Sequence, residues 1–168
     1  MALTQINKLA ILQCVSLVQS LQSLPNPDPG VWSVLDDIRS RLERIANGSP
    51  LRLTEHFTLE EFLAPPTAVR HGITLYPNAK VFQNLSTLCN EVLEPARCRL
   101  NCPIYVSSGY RNQSLNRLVG GVPTSLHLEG RAADISCSGG LLDRLFEVLS
   151  TLPHTELIKY DSFIHVAL

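Results

Sequence analysis

The chain has 168 residues, of which 45% are hydrophobic, as expected of a globular protein and not of a disordered or fibrous one. Its 14 basic and 15 acidic residues give a formal net charge of −1, and no block of like charge occurs. Nucleic-acid binding needs a concentrated positive face, so we expect no nucleic-acid partner. The 5 cysteines are scattered and odd in number, which predicts free thiols in a protein synthesised in the cytosol.

The first part of the chain predicts a helical hairpin over residues 1–48. Apolar residues recur at helical spacing over 6–24 and again over 31–45, and a run rich in proline separates them at 25–30. The Asn-Gly-Ser-Pro sequence at 47–50 ends the second helix. The hairpin either packs on the domain that follows or binds a protein partner. Its first segment is too polar and short to span a bilayer, and a weak signal peptide is the alternative to a helix there.

The remainder predicts an α+β domain over residues 51–168, a small antiparallel sheet with flanking helices. Thr58 and Glu61 form a capping box at the start of a short helix that ends before two prolines. The spacing of apolar residues then predicts a helix over 78–94 followed by Pro95, a strand over 103–107, a helix over 112–119, a strand over 132–136, a helix over 141–152, and a hairpin of strands 156–159 and 163–167 that turns at Asp161 and Ser162.

Three side chains of this domain suit a zinc site. In the segment SLHLEGRAAD, residues 125–134, His127 lies in a loop and Asp134 on the strand that follows, while Gly130 allows a tight turn between them. His165 on the last strand is well placed to be a third ligand. A catalytic zinc has three protein ligands of this kind and an open position for water. Two imidazoles and one carboxylate leave the site with a net charge of +1, which lowers the pKa of bound water.

These motifs resemble the M15 peptidase family, the zinc D-Ala-D-Ala carboxypeptidases, D,D-dipeptidases and L-Ala-D-Glu endopeptidases of peptidoglycan, which include phage endolysins. The resemblance runs from about residue 53 to residue 168 and excludes the first 50 residues. Its motifs, in order, are HFTLEEF, TAVRHGI, EVLEPAR, SSGYRNQSLNRLVGG, the His127–Asp134 segment and ELIKYDSFIHV. The resemblance implies a fold like that of the hedgehog signalling domain, with His127, Asp134 and His165 as zinc ligands.

The same resemblance assigns roles to residues around the metal. Arg111 matches an arginine that steadies the scissile carbonyl or its oxyanion, for which a permanently charged guanidinium is suited. Ser125 matches a serine that contacts substrate, with a turn residue as the alternative. Relatives place an acidic general base commonly three residues before the last histidine, where this chain has Ser162. Asp161 is the predicted base in its place, and Glu156 on the neighbouring strand is the alternative.

The resemblance therefore implies a zinc peptidase that cuts peptidoglycan stem peptides or cross-links, as a carboxypeptidase or an endopeptidase. We expect it to be made in the cytoplasm and to act on the cell wall or periplasm, with a phage-encoded or virion-associated origin as one possibility. The alternative is a catalytically inactive zinc-binding module of the same fold, with a structural or virion-associated role in which the helical hairpin does the work.

Overall fold

The computed structural model describes residues 29–46 and 50–168, together with four helical positions of the N-terminal segment, Ile11, Cys14, Val18 and Leu21. The chain divides into two compact units, residues 1–51 and 52–168. In the first unit, helix α1 (Pro29–Ala46) confirms the second helix predicted from the sequence. Most of the first predicted helix and the turn at 47–49 lie outside the described residues, so the hairpin stays a prediction.

The second unit is an α+β domain, as the sequence predicted. Its helices are α2 (Leu59–Leu63), α3 (Pro66–Arg70), α4 (Ala79–Leu88), α5 (Glu94–Leu100), α6 (Gln113–Leu118) and α7 (Leu142–Ser150), with a 3₁₀ helix over Leu126–Glu129. Its strands are β1 (Ile104–Ser108), β2 (Ala132–Cys137), β3 (Glu156–Lys159) and β4 (Ile164–Ala167). The predicted capping box is present, because the Thr58 backbone N–H donates to the Glu61 carboxylate over 2.7 Å.

The long central helix does not end at Pro95, and that prediction was wrong. A π-helical turn over Cys89–Leu93 joins α4 to α5, so the helix continues through the proline to Leu100. Proline lacks an N–H group and its ring crowds the carbonyl four residues earlier. In the wider turn, the N–H of Glu94 bonds to the carbonyl of Cys89 five residues back, and this geometry gives the ring room.

The four strands form one antiparallel sheet with the order β1-β2-β4-β3. Ser108 is paired with Asp134, Asp134 with His165, and His165 with Ile158. These four residues therefore form a row across the sheet, and their side chains share one face. A β-bulge at Ser107, between the pairs of Val106 and Ser108, shifts the register of β1 just before this row.

The hydrophobic core lies between the sheet and the helices α4, α5 and α7. Alternate residues of β2 and β4, among them Ile135, Ile164 and Val166, are fully buried there against helix residues such as Leu88 and Leu145. The sheet thus uses one face for the core and leaves the other free for the row that contains Asp134 and His165. Among the described residues, no helix is both long and apolar enough to cross a membrane.

Candidate metal centre

The structure brings His127, Asp134 and His165 together. His127 comes from the 3₁₀ helix, Asp134 from β2 and His165 from β4. One carboxylate oxygen, Asp134 Oδ1, lies 3.2 Å from His127 Nε2 and 2.8 Å from His165 Nδ1. All three potential ligand atoms lie within 4.8 Å of one another. His127 and Asp134 are buried and His165 is partly exposed, so the cluster sits at the base of a depression and not on an open surface.

A backbone carbonyl orients the His127 ring. His127 Nδ1 lies 2.7 Å from the Gly109 oxygen, which can only accept, so Nδ1 carries the hydrogen. Nε2 is then the lone-pair nitrogen of the neutral ring, and in the protonated ring it donates to Asp134. The main chain adds a second link, because the Arg111 N–H donates to the His127 carbonyl over 3.0 Å. The segment after β1 therefore fixes both the position and the tautomer of His127.

Two glycines make this arrangement possible. A Cβ on Gly109 would lie 2.6 Å from the Cα of Phe62, so only glycine lets the chain pass α2 this closely. Gly130 has a φ of 70°, in the left-handed region, and a Cβ there would lie 2.9 Å from the Val81 carbonyl oxygen. The tight turn that the sequence predicted at Gly130 is therefore confirmed, and it returns the chain from His127 to the strand that bears Asp134.

Asp134 is held from its other side by Arg111. Arg111 Nη2 donates to Asp134 Oδ2 over 2.6 Å, and its Nε donates to Ser108 Oγ over 2.9 Å. Burial by itself would raise the pKa of the Asp134 carboxyl. Hydrogen bonds from His127 and His165 and the charge of Arg111 outweigh it, so the pKa lies well below its ordinary value. Asp134 is consequently a carboxylate over the whole physiological range.

His165 has a carboxylate at each ring nitrogen. Its Nδ1 faces Asp134, and its Nε2 lies 3.2 Å from Glu156 Oε2. The hydrogen bond to Asp134 raises the pKa of the imidazole; burial opposes this, and Glu156 adds to the rise. When no metal ion is bound, a proton therefore lies between His165 Nδ1 and Asp134 Oδ1.

A cleft of about 530 Å³ opens above the cluster. Of the residues to which the sequence assigned roles, Arg111, Ser125 and Glu156 line this cleft together with the three proposed ligands. Asp161 does not: it borders a separate hollow with Asp143 and Lys159. The structure therefore brings the alternative general base to the cluster and leaves the first choice outside the cleft.

A second mixed cluster lies elsewhere on the domain. His56 Nδ1 is 2.5 Å from Glu94 Oε1, and the Cys98 thiol is 3.8 Å from the same oxygen. The sequence did not predict that His56 and Cys98 meet at Glu94. These three side chains also have ligand atoms within 4.8 Å of one another. Both oxygens of Glu94 already accept hydrogen bonds from the loop before α2, through Thr54 and the backbone of His56 as well as its ring.

Several residues that shape the cleft were not predicted from the sequence. The Gly109 carbonyl and the Ser108 hydroxyl act through contacts that only the fold creates. Buried Asn116 donates to the carbonyls of Gly121 and Val122, and so holds a loop that lines the cleft. The only available signal was the SSGY and LVGG sequences at 107–110 and 118–121, whose small residues permit close approach of the backbone.

The donor set fits a divalent metal ion such as zinc. The Gly109 carbonyl and Glu156 can accept the hydrogens of His127 Nδ1 and His165 Nε2, the two ring nitrogens that do not face Asp134. A metal ion between His127 Nε2, His165 Nδ1 and Asp134 Oδ1 would take the place of the hydrogens that the rings otherwise direct at the carboxylate, and two imidazoles with one carboxylate are ligands that zinc accepts. The geometry therefore describes an α+β domain with a candidate metal centre at the base of a cleft.

Comparison with known families agrees with this description. The model of the Peptidase M15 family matches residues 55–167, two thirds of the chain. The chain therefore belongs to the Peptidase M15 family, and a peptidase function follows from this membership. No curated protein matched the chain.

Proposed function

We propose that this chain is a zinc-dependent peptidase that hydrolyses peptide bonds in peptidoglycan stem peptides or cross-links. The observation that carries the proposal is the convergence of His127 Nε2, Asp134 Oδ1 and His165 Nδ1 below an open cleft. Zinc is the metal that suits two histidines and a carboxylate with a free position. The peptidoglycan substrate rests on the resemblance to the carboxypeptidases and endopeptidases of the family.

Each side chain of the centre has a defined part in this proposal. Zinc, when bound, supplies Lewis acidity toward the scissile carbonyl and toward water. His127 and His165 donate neutral nitrogens, and Asp134 contributes the negative charge. Arg111 keeps Asp134 in place and, because it lines the cleft, presents a permanent positive charge beside the scissile bond. That charge stabilises the oxyanion that develops on the carbonyl oxygen.

The walls of the cleft define where a peptide would lie. Ser125 stands beside His127, where its hydroxyl is available to a backbone group of the substrate. The lining of the cleft also includes Ile158 and the pair Tyr160 and Phe163, whose rings stack with centroids 4.4 Å apart. A peptide in this cleft would thus meet both polar side chains and an apolar surface that includes two aromatic rings.

The two candidate proton acceptors, Asp161 and Glu156, lie in different places relative to the cleft. Asp161 was the predicted base, but it borders the hollow with Asp143 and Lys159 and not the cleft. Glu156 borders the cleft, with its carboxylate on the His165 ring. This arrangement is the observation that favours the second candidate function, a zinc-binding module without catalysis.

Digestion of purified peptidoglycan distinguishes the two functions. We expect the full chain to release peptide fragments, a chelator to stop the release, and added zinc to restore it. The matched control is Glu147→Ala, which changes an exposed carboxylate on α7 and should leave the release intact. Zinc bound by the protein without any release of fragments would favour the inactive module, and absence of zinc binding would contradict both functions.

A further inference from the structure

The Glu156 carboxylate contacts the side of the His165 ring that faces away from Asp134. Strand pairing places Ile158 opposite His165, so Glu156, two residues earlier on β3, is a diagonal neighbour on the same face. Its Oε2 lies 3.2 Å from His165 Nε2, while Asp134 Oδ1 lies 2.8 Å from His165 Nδ1. The imidazole therefore stands between the two carboxylates.

This contact suits the tautomer that His165 needs when its Nδ1 binds a metal ion. An ionised carboxylate can only accept hydrogen bonds, so the bond to Glu156 requires a hydrogen on Nε2. Asp134 makes the same demand on Nδ1, so both ring nitrogens face an acceptor when no metal ion is bound. When a metal ion binds at Nδ1, the one remaining ring hydrogen lies on Nε2, where Glu156 accepts it. His127 is held in the opposite tautomer by the Gly109 carbonyl, with its hydrogen on Nδ1 and its lone pair on Nε2. The two histidines thus reach the same point through different nitrogens, each fixed by its own acceptor.

We infer that Glu156 is a positioning residue that holds His165 ready to bind the metal, and that it is not the proton acceptor of the reaction. This inference rests on the proposed zinc-dependent function. A general base must reach the water that attacks the substrate, but the ring of His165 separates the Glu156 carboxylate from the three converging ligand atoms. An acceptor on the non-ligating nitrogen of a histidine is the usual means of raising its affinity for a metal.

Zinc affinity tests the inference without reference to catalysis. It is measured on the full chain by competition with a chromophoric chelator, for wild type, Glu156→Ala, Glu156→Gln and the control Glu147→Ala. We expect Glu156→Ala to weaken zinc binding by about 10- to 100-fold, as is typical when such an acceptor is removed. Glu156→Gln should stay within a few-fold of wild type, because its amide oxygen still accepts from Nε2–H, and Glu147→Ala should not change the affinity.

Glu156→Gln also separates the two roles in the reaction, because an amide cannot take a proton from water. Peptide release by Glu156→Gln near the wild-type rate supports positioning, and zinc bound normally with release abolished would show that Glu156 is the base. An Nε2–H signal of His165 in ¹⁵N-resolved NMR of the zinc-bound protein is expected in wild type and Glu156→Gln and should be weakened in Glu156→Ala. Unchanged zinc affinity in Glu156→Ala overturns the inference and leaves the proposed function intact, whereas a wild-type chain that binds no zinc overturns the proposed function itself.

Discussion

Two clusters of this domain consist of similar potential metal-ligating side chains, but the surroundings of the two clusters differ. The cleft cluster, His127, Asp134 and His165, and the surface cluster, His56, Glu94 and Cys98, each have ligand atoms within 4.8 Å of one another. Side chains of the cleft cluster are 3%, 12% and 14% exposed, whereas His56 is 34% exposed and Cys98 lies on the surface. The residue types in the two clusters therefore do not by themselves show which cluster binds a metal ion.

The hydrogen bonds around each cluster do distinguish them. In the cleft, each ring also has an acceptor outside the cluster, the Gly109 carbonyl for His127 and Glu156 for His165, which can hold the hydrogen of one ring nitrogen while the other nitrogen binds a metal ion. In the surface cluster, the donors converge instead on Glu94, which accepts from Thr54, from the backbone of His56 and from its ring. Its polar groups satisfy one another, so it fastens the loop before α2 to helix α5. A histidine that ligates a metal ion commonly has an acceptor on its other nitrogen, and both histidines of the cleft cluster have one.

The largest effect is expected when a proposed zinc ligand of the cleft cluster is removed, because the protein should then lose its zinc. His165→Ala should reduce bound zinc from about one ion per chain to none and lower peptide release by roughly a thousand-fold or more, since the metal supplies the Lewis acid. The matched variant His56→Ala removes an imidazole from the surface cluster and should change neither quantity. Metal analysis of the purified proteins measures the ratio of zinc to protein. Loss of zinc in His56→Ala, or its retention in His165→Ala, would contradict the distinction between the clusters.

The sequence predicted the three residues of the cleft cluster because strand alternation and the Gly130 turn are local patterns. Asp134 and His165 lie on strands that are apolar enough to recognise, and β2 and β4 pair in the register that faces the two side chains to each other. The fold class and most element bounds followed in the same way from the spacing of apolar residues.

What the sequence could not predict depends on contacts between distant segments. No local pattern shows that a carbonyl at residue 109 meets a ring at residue 127, or that Glu156 lies diagonally across from His165. The π-helical turn before Pro95 was missed because a proline ordinarily ends a helix, and the tertiary packing of α5 against α7 favours its continuation instead. The meeting of His56, Glu94 and Cys98 was missed for the same reason, since 38 residues separate the first two.

The second-largest effect is expected at Gly109, whose carbonyl oxygen accepts a hydrogen bond from His127 of the cleft cluster. Gly109→Ala places a Cβ 2.6 Å from the Phe62 backbone, which cannot move aside as a flexible side chain would. We expect the free energy of unfolding to fall by about 1–3 kcal/mol, as for other overpacked sites, and zinc affinity to fall as the carbonyl shifts away from His127. Urea denaturation and chelator competition measure the two effects.

Gly140→Ala is the control for Gly109→Ala. Gly140 has a φ of 70° and open space around its Cα, so alanine there meets backbone strain without a clash. That strain should lower the free energy of unfolding by about 1 kcal/mol and leave zinc affinity unchanged, because Gly140 has no contact with the cluster. Equal zinc affinity in the two variants would show that the Gly109 carbonyl is not needed to orient His127.

The smallest effect tests the surface cluster through the pH dependence of stability. Burial would raise the pKa of Glu94, but hydrogen bonds from Thr54 and His56 prevail, so the pKa lies below its ordinary value of 4.5. A carboxyl whose pKa is lower in the folded state stabilises the protein above its ordinary pKa, and this contribution disappears as the pH falls through the folded value. Glu94→Gln should therefore reduce the free energy of unfolding by about 1 kcal/mol near neutral pH.

The difference between wild type and Glu94→Gln should shrink when urea denaturation is repeated at successively lower pH below 4.5. Zinc content and peptide release should be the same in both proteins, because Glu94 serves to hold a loop and not a metal ion. A stability difference that does not change with pH would mean that the charge of the Glu94 carboxylate does not help to hold the loop before α2 on helix α5. A loss of zinc in Glu94→Gln would mean that the surface cluster binds metal, and that mutual hydrogen bonding among His56, Glu94 and Thr54 does not prevent it.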